Sequence, residues 1–258
     1  MKYNTMFNIT ALQGRRQYME DTYLVQENLI NGLSLYAVFD GHGGDIVARR
    51  CSENLQEILL ENLQKTHFNI AISLTKTFIA LDEMFDIAES YMTGTTCLVI
   101  LRGHDNIWVA NCGDSRVIIN AGDSFEQLSF DHKPVAQEKK RIEEDGGTVM
   151  NVDGIWRVSG ELAVSRAIGD KRLRPYVIPT PEITTYSLTP FNKFMILATD
   201  GLWDVMSNKR ANAIVLEQYN NFAKGDKIVL DNAALRMKEI IEDVIFDNTT
   251  FILVHLRR

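Results

Sequence analysis

The sequence predicts an α+β fold in one domain, and three stretches carry that expectation. Leu33 to Phe39 (LSLYAVF) sets Leu33, Leu35, Ala37 and Phe39 on alternate positions, the period of a buried strand. Val47, Cys51, Leu55 and Ile58, and later Leu74, Phe78, Leu81 and Phe85, step by three and four along two core-facing amphipathic helices. From Cys97 to Asn120 the chain reads as three short strands joined by polar loops.

Taken in order, Met6 to Gly14 and Tyr23 to Glu27 read as strands flanking the loop GRRQYMEDTY. That loop gathers Arg15, Arg16, Glu20 and Asp21, which by themselves describe a solvated charged turn. The strand ending at Phe39 runs into Asp40, Gly41, His42, Gly43 and Gly44. Glycines remove side chains where backbone must approach a ligand or take positive φ. Asp and His two apart at a strand end suit a metal ligand and a proton donor, although a glycine-rich turn with a helix-capping Asp fits the same letters. His67, between the two helices, reads as a surface or capping residue.

Thr93-Gly94-Thr95-Thr96 opens the β-rich region. Its strands are Cys97 to Leu101, Ile107 to Asn111 and Val117 to Asn120, with His104 exposed in the first loop. Cys112-Gly113-Asp114-Ser115-Arg116 places a second carboxylate at a glycine-marked strand end, where a plain Asp turn is the simpler reading. Pro134 precedes a charged helix, Ala136 to Asp145, ended by Gly146-Gly147. Thr148 to Pro181 is irregular and holds a basic cluster, Lys171, Arg172 and Arg174. It reads as a solvated loop or, beside a phosphate site, as a steering patch for phosphorylated substrates. Phe194 to Thr199 is a buried strand entering Asp200-Gly201-Leu202-Trp203-Asp204. Helices over about Asn208 to Tyr219 and Lys227 to Asp243 follow, then Asp247-Asn248 and a last strand, Thr250 to Leu256.

Bulk properties narrow the function. Net charge over 258 residues is 27 − 34 = −7, which disfavours a nucleic-acid or anionic-membrane binder. No secretory signal and no apolar run of spanning length is present. Cys51, Cys97 and Cys112 are odd in number and unpaired in spacing, so they read as reduced core thiols. Two glycosylation sequons, at Asn8 and Asn248, carry no weight without an export signal. The expected compartment is intracellular, most simply the cytoplasm.

Asp40, Asp114, Asp200 and Asp247 each sit where a strand begins or ends. Carboxylates that cluster repel and raise one another's pKa unless a cation compensates them. Hard oxygen donors without a His/Cys cluster select Mg²⁺ or Mn²⁺ over zinc.

The motifs that hold these residues occur in a recognisable order. Arg16-x-x-x-Glu20-Asp21, Val38-Phe39-Asp40-Gly41-His42-Gly43-Gly44 and Thr93-Gly94-Thr95-Thr96 come first. Asn111 to Arg116, Leu162 to Asp170, Ala198 to Asp204 and Asp247-Asn248 follow. The chain thereby resembles the protein phosphatase 2C family, the metal-dependent protein serine/threonine phosphatases, along nearly its whole length.

The resemblance implies a four-layer α-β-β-α sandwich of two antiparallel sheets flanked by helix pairs, over one domain, 1–258, with a flap-like segment at about 134–180. It implies a binuclear Mg²⁺ or Mn²⁺ centre with Asp40 bridging, Asp200 and Asp247 on the first ion and the Gly41 carbonyl on the second. Glu20 and Asp21 match the acidic pair that orders metal-bound waters, and Asp114 and Asp204, with Asp200, match the ligands of a weaker third ion. Arg16, at the right spacing where Arg15 is not, matches the phosphate-binding arginine, and His42 the general acid. Phosphoserine or phosphothreonine in proteins would be hydrolysed by a metal-activated water without a phosphoenzyme, by a monomer that engages neither nucleic acid nor membrane.

Other hydrolytic patterns are missing: no Cys is followed six positions on by Arg, and no phosphate-binding Gly-x-x-x-x-Gly-Lys-Ser/Thr loop or Asp-x-Asp pair occurs. After Asp170 the family's aromatic-rich run is replaced by Lys171-Arg172-Leu173-Arg174-Pro175, which bears on substrate preference. Two rival readings are a pseudophosphatase scaffold, disfavoured because Arg16, Asp40, His42, Asp200 and Asp247 are all present, and a phosphatase of small metabolites. The chain ends directly after its last strand and suits either a small enzyme or the catalytic piece of a longer protein.

Overall fold

The structure, a computed structural model, describes residues 6–221 and 227–256. Two five-stranded antiparallel sheets dominate it. In one, Phe7–Leu12, Thr249–His255, Phe194–Ala198, Arg116–Ala121 and Ser124–Gln127 lie side by side in that order. In the other the order is Glu182–Ser187, Asn106–Cys112, Cys97–Arg102, Leu33–Phe39 and Thr22–Ile30.

The central strands are apolar on both faces because both faces are covered. Leu35, Ala37 and Phe39 pack against helices Ile46–Lys65 and Ile70–Glu83. Tyr36 and Val38 point the other way and meet Met195, Leu197, Ile252 and Val254 between the sheets. Ile196, Ala198, Phe251 and Leu253 then face helices Asn208–Asn221 and Lys227–Ile241. The alternation produces four layers, α-β-β-α, with each fully buried Leu or Phe contributing about 1.5–3 kcal/mol. This is the sandwich the resemblance implies. Both expected helical stripes are buried, with one adjustment: the first runs Val47, Cys51, Leu55, Leu59, and Ile58 lies beside it. The three cysteines are buried and free. Among the described residues no helix is long and apolar enough to cross a membrane.

Three features depart from the sequence expectation. The stretch read as irregular contains a hairpin, Val149–Val152 with Ile155–Val158, over a small core of Ile142, Val158, Val164, Ala167, Leu173 and Val177. Two edge strands, Ser124–Gln127 and Glu182–Ser187, carry too few buried side chains to show a clear period. The basic cluster is drawn into ion pairs and is not a freely solvated loop. Lys171 and Arg174 both reach the buried Asp82 carboxylate, each at 2.6 Å, and Arg172 pairs with Glu161. Asp82 is withdrawn from water by helix packing, and a buried carboxylate requires such partners.

A third, small sheet joins the halves of the future cleft: Ile168–Gly169, Gly94–Thr95 and Gly41–His42, in that order.

Candidate active site

Strand ends from both sheets deliver carboxylates to one point. Asp40 follows Leu33–Phe39, Asp114 sits between Asn106–Cys112 and Arg116–Ala121, and Asp200 follows Phe194–Ala198. Each offers an oxygen, and the three oxygens all lie within 4.8 Å of one another. Thr96 fixes the Asp40 backbone from both sides: its Oγ1 accepts from Asp40 N at 3.1 Å and its own N–H donates to Asp40 O at 2.9 Å.

Burial, then repulsion from Asp21, Asp200 and Asp114, holds the Asp40 carboxyl well above its ordinary range. Asp200 is pushed up to about 7 by burial and by the charges of Asp114 and Asp204, with Lys133 opposing. Like charges this close stay ionised only beside a cation. Lys133 supplies part of it, its Nζ donating to Asp114 Oδ2 at 2.7 Å. One ammonium does not balance three carboxylates, and all the convergent donors are oxygens. The set fits a hard divalent ion such as Mg²⁺ or Mn²⁺.

The other expected residues take distinct positions. Asp204 and Asp247 line the same cleft but stand outside the three-carboxylate group. Asp247 Oδ2 instead accepts from Arg16 Nη2 at 2.6 Å. Arg15 points away, donating to the Asp243 carbonyl and lying over the Phe246 ring, so only Arg16 enters the cleft. Glu20 lines the cleft and accepts from Gly44 N at 2.5 Å, tying the loop after the first strand to the glycine turn. Asp21 lies beneath the floor, buried, accepting from Thr199 Oγ1 at 2.9 Å and raised to about 7 chiefly by that burial. Gly41 lines the cleft where a Cβ would come within 2.5 Å of the Glu20 carbonyl oxygen.

His42 donates from Nε2 to Asp170 Oδ2 at 2.8 Å. Burial works against a charged ring, but the hydrogen bond and charge of Asp170 outweigh it and raise the His42 pKa. The cleft measures about 640 Å³, and the flap hairpin supplies its far wall through Ile155, Trp156 and Arg157.

Three residues escaped the sequence reading. Lys133 follows His132 in an unremarkable loop. Asn248 anchors the Arg16 loop, donating from Nδ2 to Gln13 O and Tyr18 O while its Oδ1 accepts from Glu20 N. Its position after Asp247 was the available signal. Asp170 closes the Leu162-to-Asp170 motif but lies 128 positions from His42.

The cleft between the sheet ends thus brings oxygen donors suited to a hard divalent ion together with the guanidinium of Arg16 and the imidazole of His42. Residues 5–239 match the family model described as Protein phosphatase 2C, and the chain belongs to that family. The match takes in Arg16 through Asp204 and stops before Asp247. The chain is 36% identical over 210 residues to "Probable protein phosphatase 2C 25" of Arabidopsis thaliana, covering 80% of this chain and 53% of that protein. It is 41% identical over 211 residues to "Probable protein phosphatase 2C 45" of Oryza sativa subsp. japonica, covering 80% and 74%. The solved "Structure of a C.elegans sex determining protein" superposes with a TM-score of 0.89 at 26% identity, covering 100% of this chain and 66% of that one. The chain spans about half the length of the first curated relatives it matches, 53% and 55%.

Proposed function

We propose that this chain is an Mg²⁺- or Mn²⁺-dependent protein serine/threonine phosphatase, acting as one catalytic domain over 1–258. The observation that carries the reading is the convergence of Asp40, Asp114 and Asp200 within 4.8 Å, in a cleft that Arg16 and His42 also line. Asp40, the Gly41 carbonyl, Asp200 and Asp247 would hold the divalent ions, with Asp114 and Asp204, together with Asp200, for a third, weaker one, and the bound ions would supply Lewis acidity and a water made nucleophilic at neutral pH.

The chain's own groups supply the rest. Arg16 presents a planar fork of N–H donors to the phosphoryl oxygens and neutralises charge that grows on them. It must release Asp247 to do so. Glu20 and Asp21 orient water around the carboxylate cluster. His42 protonates the serine or threonine oxygen as it leaves, a role that typically contributes about 10²–10⁴-fold. Water attacks phosphorus directly, so no phosphorylated side chain forms.

A protein substrate is favoured over a small metabolite by the far wall, where Ile155 and Trp156 expose apolar surface beside the cleft. Buried free thiols support an intracellular setting, and a net charge of −7 disfavours binding to nucleic acid or an anionic membrane. A single turnover on a ³²P-labelled phosphothreonine peptide tests the chemistry. All ³²P recovered as inorganic phosphate and none on acid-quenched protein is the expected result; ³²P on the protein contradicts it.

A further inference from the structure

We infer that Asp170 is the positioning residue for His42, held in place by an ionic clamp that Asp82 forms with Lys171 and Arg174. The inference rests on the reading of His42 as the proton donor.

His42 has two ring nitrogens, and it can serve the leaving oxygen only if its ring orientation is fixed and the nitrogen facing that oxygen carries a proton. Nε2–H donates to Asp170 Oδ2 at 2.8 Å, which commits that nitrogen. The ring acts as acid in its doubly protonated form, giving the Nδ1 proton to the leaving oxygen while Nε2–H keeps its contact with the carboxylate. The Asp170 side chain is 5% exposed, against 29% for His42, so the pair is shielded on the acid side and open on the imidazole side.

The backbone around this pair is arranged to bring it together. Gly41–His42 and Ile168–Gly169 pair with opposite edges of Gly94–Thr95, so His42 and Asp170 converge over Gly94. Gly94 has no side chain there: a Cβ would collide with Asp170 Oδ2 and lie 2.8 Å from His42 Nε2. Asp170 itself takes a left-handed conformation, φ +49, and donates its N–H to Thr93 O at 3.0 Å. A non-glycine residue holds such a conformation when its surroundings determine it.

Those surroundings are the clamp. Asp82, on helix Ile70–Glu83, accepts from Gly169 N at 2.8 Å and from Lys171 Nζ and Arg174 Nη2 at 2.6 Å each. The residues immediately before and after Asp170, and one four further on, are thus tied to a single buried carboxylate. Nothing else in the mechanism employs Lys171, Arg174 or Asp82.

Two substrates separate positioning from mere structure. A phosphothreonine peptide expels an alkoxide and needs the proton; p-nitrophenyl phosphate expels a stable phenolate and does not. For Asp170→Asn the expected result is a fall in kcat of about 10- to 100-fold on the peptide and less than about threefold on p-nitrophenyl phosphate, part of what a general acid contributes. KM for the peptide and the melting temperature stay near wild type. Lys171→Met, whose side chain reaches Asp82 and not His42, shows the same selectivity at smaller amplitude and serves if Asp170→Asn does not fold. Equal losses on both substrates, or none on either, overturn the inference. His42→Ala is the control: if wild type is active and this variant loses both substrates equally, the acid assignment falls and the inference with it.

Discussion

Arg16 and Asp247 meet at 2.6 Å across the cleft, an arginine from the loop after the first strand against a carboxylate from the turn before the last. Their side chains are 55% and 39% exposed, so the pair is a solvated contact of small energetic value, easily exchanged for stronger partners. Each residue faces a second charge in the proposed reaction, phosphate for Arg16 and metal for Asp247. The pair therefore keeps both side chains directed into the cleft without fixing either.

Arg16→Ala is expected to lower kcat/KM on a phosphothreonine peptide by about 10- to 100-fold, the equivalent of one charge-assisted contact of roughly 1.5–3 kcal/mol. Mn²⁺ binding in a calorimetric titration stays within about twofold of wild type, because the removed group is a cation and no donor to metal. Arg16→Lys recovers little, since an ammonium cannot reproduce a bidentate fork.

Asn248→Ala removes three hydrogen bonds that hold residues 13–20 over the cleft. At about 1 kcal/mol each, the loss is roughly 2–3 kcal/mol and is read as a lower urea midpoint. Activity falls further than stability explains, because Arg16 and Glu20 both ride on that loop.

Asp200→Asn should have opposite effects in the presence and absence of metal. In excess EDTA it removes the burial penalty and the repulsion from Asp114 and Asp204 that together lift Asp200 to about 7, and its melting temperature exceeds that of wild type. In saturating Mn²⁺ the order reverses, since wild type gains about 2.7 kcal/mol at one hundred times Kd and the variant gains less. Thermal melts under the two conditions check the crossing.

Acid should loosen the flap through Glu138. Burial raises this carboxyl, but Arg166 first, then Arg141 and Ser165, outweigh burial and bring it down to about 2. Its ordinary value is 4.5, so between about 2 and 4.5 the unfolded chain binds more protons than the folded one. Stability from this group is complete above pH 4.5 and is lost as pH falls toward 2. Glu138→Gln should flatten that limb of the acid-unfolding curve, and hydrogen exchange at Val149–Val158 should rise in the variant at neutral pH.

Much of this was legible in the letters, for physical reasons that also explain what was not. Leu33–Phe39 and Phe194–Ala198 are covered on both faces, so burial left continuous apolar runs. Asp40, Asp114 and Asp200 stand out because each breaks such a run beside a glycine. The His42–Asp170 contact was invisible: a two-residue strand, Gly94–Thr95, brings the partners together, and so short a pairing leaves no periodicity. Lys171 and Arg174 looked solvated because their partner, Asp82, sits on a helix that reads as an ordinary amphipathic stripe. The flap hairpin was missed because Met150, Val152, Ile155 and Trp156 are largely exposed, and its small core draws on distant segments.

Metal-dependent phosphatase activity at the Asp40, Asp114 and Asp200 cluster is read as phosphate release from a phosphothreonine peptide, measured for wild type in Mn²⁺, in Mg²⁺ and in excess EDTA, and for Asp200→Ala in Mn²⁺. Release by wild type that requires the divalent ion and falls at least about 10³-fold in the variant is the predicted result, several kcal/mol of transition-state stabilisation. Release that persists in EDTA, or no release by folded wild type with either ion, would contradict it.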